Sequence, residues 1–219
     1  MVVQARKEPD DSESVGPRSG LIVSVVYTVF FLSGSAALVY QVVWQRALFA
    51  IYGVNVESVT LVVAAFLLGL GLGSLLGGAL SRDERRPVLL LFAAFELGIG
   101  LYGFASLAVF SAVGRLTAGG SLAATFLWAF LLVLVPTGLM GATLPLLSAW
   151  TVRRLGNVGR AVGMLYFVNT LGSAGSAALT ATWMLGALGQ QGTIMVAAAV
   201  NALVGGSVLL LRRREVADR

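Results

Sequence analysis

The chain has 219 residues, 58% hydrophobic and 11% charged, with a net charge of +5 and a mean hydropathy of +0.89. A soluble domain carries roughly 25% charged residues, so this composition excludes a water-soluble globule and indicates a membrane protein. There is no Cys and no His, which excludes disulfides, thiol nucleophiles, imidazole acid–base chemistry and metal or haem ligation through those side chains.

Residues 1–20 are polar, with Arg6, Lys7, Glu8, Asp10, Asp11, Glu13 and Arg18 and no apolar run. They read as a disordered tail. A signal peptide has a short basic n-region, whereas here a slightly acidic tail precedes a run long enough to span, so that run reads as an uncleaved first helix. A bilayer core about 30 Å thick needs roughly 20 apolar residues in a helix. Six runs meet this, at 21–40, 58–80, 88–110, 122–147, 161–188 and 193–211. Residues 40–52 read either as a continuation of the first helix or as a short helix in the interface. Tyr40, Trp44 and Tyr52 suit the headgroup level, and Arg46 and Glu57 are placed to form an exposed ion pair. Residues 212–219 form a basic tail.

Basic residues fix the expected topology. Arg6, Lys7 and Arg18, then Arg82, Arg85 and Arg86, then Arg153, Arg154 and Arg160, then Arg212, Arg213, Arg214 and Arg219 all fall on one side of a six-span chain. Arg46 and Arg115 fall on the other. Positive charge is retained in the cytoplasm, so both termini are expected there, in a bacterial inner membrane. The positive balance is thus a topology signal and not a nucleic-acid footprint.

The fold class is therefore an all-α polytopic bundle, and its halves show self-similarity. Leu72-Gly73-Ser74 with Ala79-Leu80 in span two matches Leu171-Gly172-Ser173 with Ala178-Leu179 in span five. Ala93-Ala94-Phe95-Glu96 with Gly100 in span three matches Ala198-Ala199-Val200-Asn201 with Gly205 in span six. Two three-span units would be inverted relative to each other, as in each half of a major facilitator transporter.

Several residues stand out. Gly69, Gly73 and Gly77 share one helical face, as do Gly172 and Ser176, and such faces pack helices closely in lipid. Gly69-Leu70-Gly71-Leu72-Gly73 lies inside an apolar span, not between a strand and a helix, so it is no nucleotide loop. Glu96 lies about eight residues into span three, roughly 12 Å deep at 1.5 Å per residue. A charge there costs at least ~2.5 kcal/mol, so it faces the bundle interior or a wet cavity. It is a candidate proton or cation site, or else a hydrogen-bonded packing residue, with Asn169, Thr170 and Asn201 as candidate partners. Pro136 and Pro145 remove backbone donors and are expected to kink span four, with Thr137 or Thr143 satisfying the freed carbonyls. Gly77, Arg82, Arg85 and Arg86 resemble the basic cytoplasmic loop of major facilitators, but Ser81 and Glu84 depart from that pattern.

One family resemblance covers residues 21–211. It is carried by Phe31-Leu32-Ser33-Gly34, Leu38-Val39-Tyr40-Gln41-Val42-Val43-Trp44-Gln45-Arg46, the Leu68 to Ser74 glycine run with Gly77-Gly78, and Glu96-Leu97 with Gly100-Leu101-Tyr102. Met140-Gly141-Ala142-Thr143-Leu144-Pro145 and Tyr166 with Asn169-Thr170-Leu171-Gly172 complete it. In this order the stretches resemble the membrane region of bacterial spermidine synthase-like proteins, which fuse a major-facilitator-like part to a synthase. The resemblance implies a soluble aminopropyltransferase-like domain after the helices. The sequence ends at Arg219, so no catalytic residue of that domain is carried over. The expectation is a module without catalysis, cofactor or metal of its own. It would anchor a separate synthase-like subunit in the bilayer or move a small solute for it, such as a polyamine, either as a homo-oligomer or with that subunit. The alternative is a structural subunit of a larger membrane assembly.

Overall fold

A computed structural model describes residues 17–52 and 56–217 of the chain. In lipid the backbone must satisfy its own hydrogen bonds, and apolar runs of this length do so as helices. Six α-helices form: α1 (Pro17–Tyr52), α2 (Val56–Ser81), α3 (Val88–Thr117), α4 (Leu122–Leu155), α5 (Val158–Leu179) and α6 (Leu185–Ala217). There is no strand among the described residues. The expected tail at 1–16 lies outside them. Helix α1 begins before the expected span and runs on through Tyr52, so residues 40–52 continue it. At the other end, α6 carries helix into the expected basic tail.

The turns have local causes. The Ser121 hydroxyl accepts from Ala124 N at 3.3 Å to open α4, and the Asn157 side chain accepts from Arg160 N at 2.9 Å to open α5. Both are side-chain N-caps. Gly156 ends α4 in the left-handed region, at φ 68°. Pro87 precedes α3.

Five helical stretches are long and apolar enough to cross a membrane: Gly20–Ile51, Val62–Ser81, Val88–Thr117, Phe126–Leu155 and Val158–Arg213. This makes the chain a multi-pass membrane protein by length and composition. The sequence reading expects six spans, and the difference lies in the last stretch. Its 56 residues unite α5 and α6. A π-helical turn at Thr180–Met184 joins them, and the helical path is broken at Gly189, with φ 65° and ψ −177°.

Three pairings organise the bundle. Helix α2 lies along α4 in the same direction: a side chain at Gly69 would meet Thr137, one at Gly73 the Gly138 carbonyl, and one at Gly77 the Ala142 carbonyl. Helix α1 lies along α5 in the same direction, with Phe30 at Asn169 and Gly34 at Ser173. Helix α3 runs against the part of α6 beyond Gly189, with Gly100 at Ala198 and Ala93 at Gly205.

Two apolar cores stack along the bundle. One holds Val26, Phe30, Phe92, Leu146, Trp150, Leu165 and Val208. It lies at the basic end, where Arg82, Arg85, Arg86, Arg153, Arg154 and Arg160 flank the helices. The second holds Tyr40, Trp44, Phe66, Ile99, Phe110, Val133 and Ile194.

Candidate functional site

Glu96 of α3 is fully buried, at 0% exposure. Its carboxyl is held from both sides. The Ser33 hydroxyl of α1 donates to Oε1 at 2.5 Å, and the Asn201 amide of α6 donates to Oε2 at 2.6 Å. Three helices therefore meet on one carboxyl. Asn201 is itself only 1% exposed, and its Oδ1 has no hydrogen-bond partner.

A second polar layer lies about two turns further along α1. Tyr40 and Trp44 stack with ring centroids 5.0 Å apart. The Trp44 indole donates to the Ser106 hydroxyl at 2.9 Å, and that hydroxyl donates to the Gly103 carbonyl at 2.7 Å. Tyr40 is fully buried, and its hydroxyl has no hydrogen-bond partner. It packs against Gly103, where a side chain would collide with the ring. Tyr40 and Trp44, expected to anchor at the headgroup level, are buried between helices, where the indole N–H finds a partner in Ser106. The side chains of Tyr52 and Glu57 lie outside the described residues.

The candidate partners of Glu96 separate. Asn201 bonds to it. Asn169 donates instead to the Phe30 carbonyl at 3.3 Å, stitching α5 to α1. Thr170 is exposed on α5. Ser33 belongs to the site and was not singled out as a partner. A small residue in an apolar helix carries no signal of its own until its neighbour across the interface is known.

Helix α4 continues through Pro136 and Pro145. A proline at position i leaves the carbonyl at i−4 without its donor, here Leu132 and Gly141. The Tyr102 hydroxyl of α3 donates to the Leu132 carbonyl at 2.5 Å, and the Ser74 hydroxyl of α2 donates to the Gly141 carbonyl at 3.2 Å. Neighbouring helices satisfy the freed groups. Thr137 and Thr143 bond instead to the Val133 and Met140 carbonyls, at 2.8 and 2.7 Å.

The glycine faces do what close packing requires. Gly69, Gly73 and Gly77 face α4, and Gly172 faces the Phe31 carbonyl of α1. Ser176 donates to the Ser173 carbonyl within its own helix at 3.0 Å. Chemically, the site can clamp helices or hold a proton or a small cation at one carboxyl. Among the described residues, His, Cys, Asp and Glu form no group of three or more that could hold a metal. No family model, curated protein or solved structure matches this chain.

Proposed function

We propose that the chain is a six-crossing membrane module built from two inverted triplets, α1–α3 and α4–α6, with both termini on the cytoplasmic face of a bacterial inner membrane. The Gly189 break supplies the reversal between the last two crossings. The repeat is supported by contacts that exchange when the triplets are exchanged. Ser74 donates to the Gly141 carbonyl, and its counterpart Ser173 donates to the Gly34 carbonyl. Gly73 lies against the Gly138 carbonyl and Gly172 against that of Phe31, while Gly100 meets Ala198 and Gly205 meets Ala93. Glu96 and Asn201 are themselves counterparts, so their bond joins the triplets across a pseudo-two-fold axis.

In function the module is non-catalytic. It anchors an aminopropyltransferase-like enzyme carried on a separate soluble subunit, in keeping with the family resemblance above. One observation carries this reading over transport: Glu96 is closed off by Ser33 and Asn201 and acts as a clamp between helices. A second reading, movement of a small cationic solute such as a polyamine, is favoured by the unpartnered oxygens of Asn201 and Tyr40 near Glu96.

Glu96→Gln separates the two. In an anchor, the variant inserts and still holds the synthase-like subunit at the membrane. In a transporter, it inserts but loses polyamine flux in proteoliposomes. If the wild-type chain gives neither recruitment nor flux, the structural-subunit alternative stands. Reporter fusions at the two termini test the topology, and opposite sides for the two ends would refute it.

A further inference from the structure

At the basic end, α1, α4 and α5 leave a cleft of about 270 Å³ between them, lined by Gly20, Ser24, Tyr27, Leu155, Arg160 and Met164. Its walls are mainly apolar, with Leu155, Met164 and the Tyr27 ring. Its charged member is Arg160, in the first turn of α5. Arg86 pairs with Asp83 at 3.7 Å in the exposed loop between α2 and α3, and Glu96 is held deep in the bundle by Ser33 and Asn201. Arg160 is exposed, and no described carboxylate pairs with it.

We propose that this cleft binds one anionic phospholipid, its phosphate against Arg160 and its glycerol and upper acyl carbons along Met164 and the Tyr27 ring, which lie deeper in the bundle. Two features select a lipid. The cleft is amphipathic in the same sense as the ligand, with a cation above and hydrocarbon below. It lies at the end of the bundle where Arg82, Arg153 and Arg154 also sit, the level at which headgroups meet a spanning helix. A free phosphate would use the cation and gain nothing from the apolar wall. The cleft has room at Gly20, where an added side chain would meet nothing within 4 Å.

Native mass spectrometry of the full-length, delipidated protein in detergent tests this with phosphatidylglycerol, phosphatidylcholine of matched chains, and inorganic phosphate. The wild type is expected to retain one phosphatidylglycerol in preference to phosphatidylcholine. Arg160→Gln should weaken that binding about five-fold, the weight of one cationic side chain at an anionic lipid surface. Arg86→Gln, equally basic but outside the cleft, should leave it unchanged, and Gly20→Leu should abolish it by filling the space. Displacement by excess inorganic phosphate would reassign the cleft to a free anion and overturn the proposal. An equal loss in Arg86→Gln would overturn it in favour of diffuse charge, and equal retention of phosphatidylcholine in favour of an acyl groove. If Arg160→Gln fails to fold, Gly20→Leu and the wild-type competition still decide.

Discussion

The Tyr102 hydroxyl donates, at 2.5 Å, to the Leu132 carbonyl, the acceptor that Pro136 leaves without an intrahelical partner one turn later. The same relation recurs between Ser74 and Gly141, upstream of Pro145. Both prolines thus convert a backbone bond within α4 into a side-chain bond to a neighbouring helix.

This relation can be measured as a coupling. Tyr102→Phe should destabilise the protein by about 1 kcal/mol, since it strands a buried carbonyl. In a Pro136→Ala background the backbone N–H returns, the carbonyl regains its helical donor, and the same change should cost markedly less. Denaturant titration of the four proteins in detergent provides the cycle. Equal costs in both backgrounds would show that the proline and the tyrosine act independently.

In the proposed repeat Glu96 and Asn201 are counterparts, so exchanging them should be tolerated better than removing either. The Glu96→Asn/Asn201→Glu double variant keeps an amide–carboxyl pair between α3 and α6. It loses the Ser33 bond, a cost of ~0.6–1.7 kcal/mol for an interhelical bond in a membrane. Glu96→Ala should cost more, because it also leaves a space and orphans the Asn201 amide. Thermal unfolding ranks the variants, and a double variant no better than Glu96→Ala counts against the axis.

Gly73→Leu should abolish the folded monomer, because the first added carbon collides with the Gly138 carbonyl of α4 and neither backbone can yield without parting the helices. Gly71→Leu, two residues away, meets nothing within 4 Å and should be neutral within about 0.5 kcal/mol. Size-exclusion profiles of the two variants make the comparison. Matching profiles would refute the α2–α4 interface.

Gly189→Ala places a β-carbon on a residue at φ 65°. The cost should be about 1–3 kcal/mol, the penalty for a side chain in a backbone region essentially restricted to glycine. Cysteine accessibility at Gln190 and Gln191 should change with it if the break sets the direction of the following helix. Unaltered stability and accessibility would mean that the break is incidental.

The sequence made the helical class legible, because runs of apolar residues have few other fates in lipid. The glycine faces were also legible: Gly73 and Gly172 each lie against a carbonyl of a neighbouring helix. Glu96 stood out by its cost, and Asn201 by its matching position. What periodicity could not provide was the partner across each interface. Ser33, Ser74 and Tyr102 look like ordinary helix residues, and each matters only through an acceptor on a helix far away in sequence. Trp44 follows the same rule: an aromatic residue near the end of an apolar window resembles an anchor, and its burial rests on Tyr102, Ser106 and Phe110 of α3.

The two apolar cores stacked along the bundle have a mechanical consequence. Val200, beside Asn201, packs against both, and the Glu96 layer is adjacent to it. The bundle therefore has a waist, where alignment between its halves rests on directional bonds more than on interlocked side chains. Strain applied at one end of the molecule would concentrate at that level, and there a flexing motion could pivot while each half kept its own packing.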